Sequence, residues 1–568
     1  MLPDSSSFYH KHFSLSSLRI IAEKPIKRDT SHDLWHRITI LFKIMKEGNI
    51  FLNVNAFNGD LFDDAQESGF TSFQLKLSND IVLRVVKKLT TTKVDNVNQR
   101  INFLELDVEE IGSIYESLLE YQPRYENDKY YLFVSGEARK SSGSYYTSKE
   151  VVRMMIRESL QSHLERIEIT PETPKQEKID KILDLKICDP TCGGGSFLIA
   201  TLDFLGEIFA KIVSGDDFPP RDILESSRRD ILEHCIYGVD VNPFAIELTK
   251  LSLWIHACVK DKPLNFLNHH IKSGNSLIGT HIRKFLKTGK ERGGQTTLLD
   301  ALDLAGELKR EFTKVKRIND NTIKNIKEKQ ELIKKIQNSE AYRYSSIIAN
   351  AYIYRVIKEG NNPSNFDVSV SKYLTNNNPK DISSIAPVKS EELEEFAYNK
   401  KFFHWDLEFP EVFFRTNPGF DLIIGNPPYI RQERIDEIDK DLSYKKTLAA
   451  LFPVFDNRFD FALYFLLKSI EIARRGGFHS FIITNKWLRA QYGKKIREYL
   501  EKAISFKKII DLGKMKVFQS ATVDTVIYLL EREKPKDEYE FFFSEPSSIV
   551  DIEQVGFTVS RSDLKNDT

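Results

Sequence analysis

Cysteine is scarce: Cys188, Cys192, Cys235 and Cys258 are the only four in 568 residues, and no two form a C-x-x-C pair. That pattern argues against a disulfide framework and a zinc site, and a reducing compartment is the natural setting. No metal site is expected. Net charge is absent too. Lys+Arg and Asp+Glu both number 82, so no global sign marks a nucleic-acid partner and any basic surface has to be local. No stretch approaches about 18 uninterrupted apolar residues. The opening MLPDSSSFYHKHF has no apolar signal region, so no membrane association is expected and the protein is read as soluble and cytoplasmic.

What is present is length, enough for three or four modules at roughly 150 residues each, and one stretch around which they are arranged. In Phe420 to Arg431, FDLIIGNPPYIR, an apolar run stops at Asn426-Pro427-Pro428-Tyr429. Two prolines ending an apolar run make a buried strand that opens into a rigid loop. The Asn426 side-chain oxygen and the Pro427 carbonyl can converge on one planar amino group, such as the exocyclic N6 of adenine. Accepting both of its hydrogens localises a lone pair that is otherwise delocalised into the ring. Tyr429 adds a flat face on which a base swung out of a duplex can stack. A strand-terminal Asn before a Pro-Pro turn is the bland alternative, so the motif needs partners.

Partners occur upstream at strand ends. ILDLKICDPTCGGGSFLIA, from Ile182 to Ala200, reads as a strand ending at Asp189-Pro190, a turn at Gly193-Gly194-Gly195, and a helix from Ser196. The turn is either a close-approach site for a ligand or a tight strand-to-helix connection. It is not followed by Lys-Ser/Thr, which makes a phosphate cradle the weaker option. CIYGVDVNP ends a second strand at Asp240, suited to two ribose hydroxyls or to capping the next helix. A third short strand near His270 to Ser273 ends at Gly274-Asn275-Ser276-Leu277. Before all three, SYYTSKE leads into a helix, with Thr147 and Glu150 spaced as a capping box and free N–H groups suited to a carboxylate.

Taken in order, SYYTS, DPTCGGGSF, GVDVNP, SGNSL and NPPY resemble the motif series of gamma-ordered N6-adenine DNA methyltransferases. The long insertion and the FHWDLEFPEVF approach are most similar to the methyltransferase part of type IIG restriction–modification enzymes and related phage-defence methylases. The resemblance covers roughly Leu104 to Glu533 and implies S-adenosylmethionine as cofactor. It places Asp189, Pro190 and Gly193 to Gly195 near the methionine and ribose, Asp240 on the ribose hydroxyls, and Thr147 near the carboxylate. Asn275 stands near the cofactor's adenine amino group, where the family has an acid, and Ser148 replaces a usual Pro. Asn426, Pro427, Pro428 and Tyr429 face a flipped adenine, and Tyr528 is a candidate second stacking aromatic. Double-stranded DNA is the implied substrate, with a specificity or restriction polypeptide as partner. A modification subunit dependent on a separate specificity chain, and a protein glutamine N-methyltransferase, are the alternatives.

The expected fold is α/β, a doubly wound, mostly parallel Rossmann-like sheet. Residues 1–136 form a mainly helical module, with its clearest helix over Val108–Tyr121. Residues 137–280 are the cofactor half of the core, 281–418 a helical insertion and 419–535 the catalytic half, closed by a hairpin of the last two apolar runs. Residues 536–568 are expected to be a tail, the start of an absent target-recognition domain, so that the chain alone methylates poorly and without a defined site. Within the insertion Leu302 to Ile336 reads as one amphipathic helix, with ten Lys/Arg against five Asp/Glu between Glu307 and Lys335. It is a solvated arm or a DNA-backbone contact. His404 reads as a buried, hydrogen-bonded histidine. Asp64, Gln74 and Lys76 faintly match a nuclease metal pattern and are taken as chance.

Overall fold

The apolar runs that end in Asp, Asn or Gly become strands of one nine-stranded sheet in the computed structural model. It describes residues 7–49, 51–54, 76–94, 97–101, 121–126, 129–134, 147–170, 172–259, 262–264, 266–285, 304–376, 378–453, 459–513, 515, 517, 523–552, 554–560 and 563. The chain divides into two compact units. One comprises Met1–Ile111, Cys258–Phe266 and Asn319–Glu328, and the other holds the remainder.

In the first unit, helices Ser7–His12, Leu15–Ala22, Asp33–Glu47 and Asn79–Thr90 are followed by a hairpin of β1 (Thr91–Val94) and β2 (Val97–Arg100). Tyr9, Leu41, Ile44 and Val54 form a small core. The buried Asn79 amide donates to Asp29, Ser31 and Asp33 and accepts from the Leu34 N–H. The helix expected over Val108–Tyr121 lies outside the described residues except for Tyr121. That residue instead opens a second hairpin, β3 (Tyr121–Glu126) and β4 (Lys129–Val134), which belongs to the second unit. Of the nuclease-like set, Asp64 and Gln74 also lie outside the described residues.

The second unit carries the sheet. Its strands are β5 (Ile187–Asp189), β6 (Ile236–Asp240), β7 (Ile271–Ser273), β8 (Phe420–Gly425), β9 (Ala473–Thr484), β10 (Ser505–Asp511), β11 (Thr525–Glu531), β12 (Glu540–Ser544) and β13 (Phe557–Ser560). They lie in the order β13-β12-β10-β11-β9-β8-β5-β6-β7. From β7 to β9 all neighbours are parallel. All six residues of β8 are buried, as a parallel strand covered on both faces requires. The chain runs outward through β5, β6 and β7, then returns to place β8 on the other side of β5. That reversal opens a crevice at the carboxyl ends of β5 and β8. The doubly wound, mostly parallel sheet is as expected.

Three details differ from expectation. β10 and β11 pair antiparallel, but β11 wedges between β9 and β10 rather than closing the edge. Residues 536–568, expected as a tail outside the core, contribute β12 and β13 to the same sheet. The single helix expected over Leu302 to Ile336 is two, Leu304–Lys316 and Ile323–Gln337. Between them the Asn319 side chain accepts from the Asn321 N–H and the Asn325 amide, a local alternative that interrupts the helical ladder. The insertion has an apolar core of its own, with Ile348, Tyr373 and Leu393 against Ile282. His404 is buried as expected: Nδ1 accepts from the Thr280 N–H (3.2 Å) and Nε2 donates to Asn350 (2.9 Å), while burial holds its pKa down to about 4. Among the described residues no helix is long and apolar enough to cross a membrane.

The amino ends of the central strands are tied by Asp421 in β8. Its carboxylate accepts from the Lys186 N–H (2.9 Å), from Arg415 (2.8 Å) and from Arg474. Burial opposes its charge, but the two guanidinium groups outweigh burial and hold the pKa below the usual range. Removing one member of a buried charge network strands the others. Asp421→Ala is expected to lower stability by about 3–5 kcal/mol in urea-induced unfolding.

Candidate active site

Four strand tips meet at the carboxyl end of the sheet, and each carries a residue expected at the site. Asp189 ends β5, where its Oδ1 accepts from the Thr191 N–H (2.9 Å) and hydroxyl (3.3 Å). Gly193 follows at φ +51, a left-handed conformation that favours glycine, and nothing lies within 4 Å of where a Cβ would point. Its N–H donates to Asp240 Oδ2 (3.0 Å) and its carbonyl accepts from Thr249 (2.7 Å). Gly195, at φ +89, is packed so closely on Thr249 that a Cβ would stand 3.0 Å from it. Gly194 lies between them against Leu248.

Asp240 at the tip of β6 also accepts from the Asn242 N–H (2.8 Å). The next helix, Pro243–His256, is capped by Asn242 instead, so Asp240 ties the glycine turn to its strand and is no helix cap. At the tip of β7 the Ser276 hydroxyl donates to the Pro190 carbonyl (2.6 Å). The Asn275 amide donates to the Tyr444 hydroxyl, and its oxygen accepts from the Leu277 N–H (3.3 Å). Burial raises the pKa of both carboxyl groups, and the Asp240 charge adds to the effect on Asp189, which is pushed up to about 7.

The fourth tip is β8. A Cβ at Gly425 would come within 2.6 Å of Asp189 Oδ1, so β8 delivers Asn426 directly beside the end of β5. The Asn426 Nδ2 donates to the Thr147 hydroxyl (3.0 Å). Pro427 is buried, and Pro428 and Tyr429 are half-buried. The Tyr429 hydroxyl donates to the Ile482 carbonyl at the end of β9 (2.8 Å), which fixes the ring's direction.

Two readings need correction. Ser148, not Thr147, caps helix Lys149–Arg166 by accepting from the Val151 N–H, which releases the Thr147 hydroxyl to reach Asn426. Tyr528 is only 1% exposed. It pairs with Phe481 in the middle of β11, with its ring against His479 and Trp487, so no base can stack on it. Residues not anticipated come from the insertion and from the segment after Tyr429. The Lys401 carbonyl accepts from the Asn275 N–H and its Nζ donates to the Val241 carbonyl (2.7 Å). Phe403 packs so tightly on the β7 tip that a Cβ at Gly274 would stand 2.2 Å from its ring. The glycines of SGNSLIG were the available signal for that approach; nothing in the sequence pointed to Tyr444.

The buried Asp189 carboxyl, the half-buried Asp240 carboxyl, an amide and an open glycine turn at adjacent strand tips offer acceptors for a ligand that carries a cation, hydroxyls and an amino group. Residues 234–518, half of the chain, match the Eco57I restriction-modification methylase family. The chain belongs to that family. Residues 107–285 also match the N-6 DNA methylase family. Among individual relatives, the Methanocaldococcus jannaschii type II restriction enzyme and methyltransferase RM.MjaORFECS2P is 23% identical over 550 residues, 86% of this chain and 43% of that one. The type II restriction enzyme and methyltransferase RM.Eco57I of Escherichia coli is 31% identical over 129 residues, 22% of this chain and 12% of its own length. The chain therefore spans less than half the length of these relatives. Among solved structures, the type IIL restriction-modification enzyme MmeI in complex with DNA matches at a TM-score of 0.48 and 13% identity, over 97% of this chain and 55% of that one.

With a pKa of about 7, Asp189 is half protonated near neutrality, and a cationic ligand requires its ionised form. Affinity for S-adenosylmethionine is expected to fall about fivefold from pH 7 to pH 6 as the carboxylate takes up its proton. Calorimetry across this range checks it. Asp189→Asn should weaken binding and flatten the dependence, which separates Asp189 from the neighbouring Asp240.

Proposed function

We propose that this chain transfers a methyl group from S-adenosylmethionine to the N6 amino group of an adenine flipped out of double-stranded DNA, within a restriction–modification or phage-defence system. The observation that carries the reading is the juxtaposition of Asn426 with the Asp189 tip and its bond to Thr147. The amino-acceptor residue and the cofactor residues share one crevice.

The cofactor, when bound, supplies an electrophilic methyl group. The glycine turn from Gly193 to Gly195 gives backbone room for it, Asp189 offers a carboxylate to its cationic end, and Asp240 and Asn275 offer acceptors to its ribose and adenine. Asn426 Oδ1 and the Pro427 carbonyl accept the two N6 hydrogens of the target base. That draws the nitrogen towards a pyramidal geometry and localises its lone pair, an effect that is electrostatic and preorganised. The nitrogen so prepared would take the methyl group that the cofactor carries on sulfur, the new N6–methyl bond replacing the sulfur–methyl bond, and N6 would give up one proton to solvent, because neutral carbonyl groups are too weakly basic to hold it. Tyr429, its ring directed by the bond to Ile482, stacks on the flipped base. Family membership supports DNA as substrate over a protein glutamine amide. The chain also works with a specificity or restriction polypeptide, a reading supported by its match, over 86% of its own length, to only 43% of a relative named as both restriction enzyme and methyltransferase.

Tritiated methyl transfer to plasmid DNA, followed by mapping of the modified adenines, tests the reading. Asn426→Ala is expected to lower methyl transfer by at least ~100-fold, the usual effect of removing one preorganised polar contact. Cofactor affinity by calorimetry should change far less than turnover, by only a few-fold. Loss of the cofactor and of the fold together would make Asn426 structural.

A further inference from the structure

We infer that Thr147 is a positioning residue that couples occupancy of the cofactor site to the orientation of the Asn426 amide. The inference rests on the function proposed above and deepens it. A hydroxyl carries one hydrogen and two lone pairs. One lone pair of Thr147 takes the Asn426 Nδ2 hydrogen at 3.0 Å, while the Thr147 hydrogen has no acceptor among the described residues. Thr147 is only 5% exposed, so bulk water reaches that hydrogen poorly. A buried donor without an acceptor is costly, and it is resolved when an acceptor arrives.

The acceptor is the carboxylate of the cofactor. Thr147 stands two residues before helix Lys149–Arg166, whose first N–H groups favour an anion. Ser148 takes the capping duty, so the Thr147 hydroxyl is available for this one. Donation to an anion polarises the hydroxyl and strengthens its oxygen as an acceptor for Asn426. The consequence is felt at the acceptor amine. An amide flipped by half a turn would present Nδ2 hydrogens to the N6 hydrogens, donor against donor, and could not activate the nitrogen. The Thr147 bond selects the orientation in which the carbonyl oxygen faces away from Thr147.

Two measurements test it. Turnover at saturating cofactor compares the wild type with Thr147→Val, which keeps the shape and removes the hydroxyl, and with Thr147→Ser, which restores it. Calorimetric affinity for S-adenosylmethionine is measured for the wild type, Thr147→Val, Asn426→Leu and the double variant, each checked for an unchanged thermal transition. Thr147→Val should lower saturated turnover about 30-fold and Thr147→Ser no more than about threefold. The two single changes in cofactor affinity should fail to combine independently by about threefold or more. A turnover deficit that vanishes at saturating cofactor would leave Thr147 a cofactor ligand only and overturn the coupling. Independent effects in the binding cycle would overturn it as well. If the wild type places no methyl on adenine, the proposed function fails, and the binding cycle alone decides whether Thr147 couples the two sites.

Discussion

The catalytic end of the molecule depends on a contact made possible by a missing side chain. At Gly425 the β8 backbone passes so close to Asp189 that a Cβ would stand 2.6 Å from Oδ1. Only a bare backbone lets β8 lie at pairing distance from β5 while the carboxyl of Asp189 occupies the space above it. Gly238 does the same for β6, where a Cβ would meet Leu198 at 2.8 Å and Cys192 at 3.2 Å, so the glycine turn can settle over the strand. These approaches bring the tips of β5, β6 and β8 within the span of one ligand. They also seal the Asp189 carboxyl from water, which raises its pKa.

Two aspartates on adjacent parallel strands show how neighbours decide what burial means. Asp421, near the amino end of β8, is as buried as Asp189, yet its pKa is held low because Arg415 and Arg474 face it. Asp189, at the carboxyl end of β5, has no such cation among the described residues; Asp240 is a charged neighbour, and the pKa of Asp189 rises to about 7, chiefly through burial. The first carboxylate is satisfied by the chain and serves cohesion. The second holds only part of its charge near neutrality, and a cation beside it would favour the ionised form. The buried Lys186 belongs with the first group: its ammonium is bound to the carbonyls of Leu183, Leu185 and His234.

The parts legible in the sequence were those set by local chemistry. Strands buried on both faces appear as unbroken apolar runs, and their polar terminal residues mark where the tips lie; β5, β6 and β8 were read this way. The turn from Gly193 to Gly195 was legible because Gly193 and Gly195 take a left-handed conformation that favours glycine. What failed was decided by contacts distant in the chain. Thr147 and Ser148 are both able to cap a helix, and the choice between them is settled by Asn426, 279 residues away. Tyr528 lay on a strand whose position in the sheet could not be read from the strand itself, since β11 enters between β9 and β10. β12 carries Phe541, Phe542 and Phe543, but the polar residues on either side hid a strand that finds its partner in β10.

Asn275 shows how a departure from a family pattern can be a consistent solution. An acid there would accept a hydrogen bond from the cofactor's amino group, and an amide appeared the weaker substitute. In the fold its amide N–H donates to the buried Tyr444 hydroxyl while its oxygen turns to the Leu277 N–H and keeps a second lone pair for a ligand. A carboxylate could not make the first of these bonds; Tyr444 would have to reverse and donate. More important, a third acid would join Asp189 and Asp240 in a crevice where the charge of Asp240 already disfavours that of Asp189. Coulomb repulsion at such separations is strong in a medium of low dielectric. The third acid would therefore tend to take up a proton and lose the acceptor strength that is its advantage. The neutral amide keeps the acceptor, supplies a donor that fixes Tyr444, and adds no third negative charge to the two at the tips of β5 and β6.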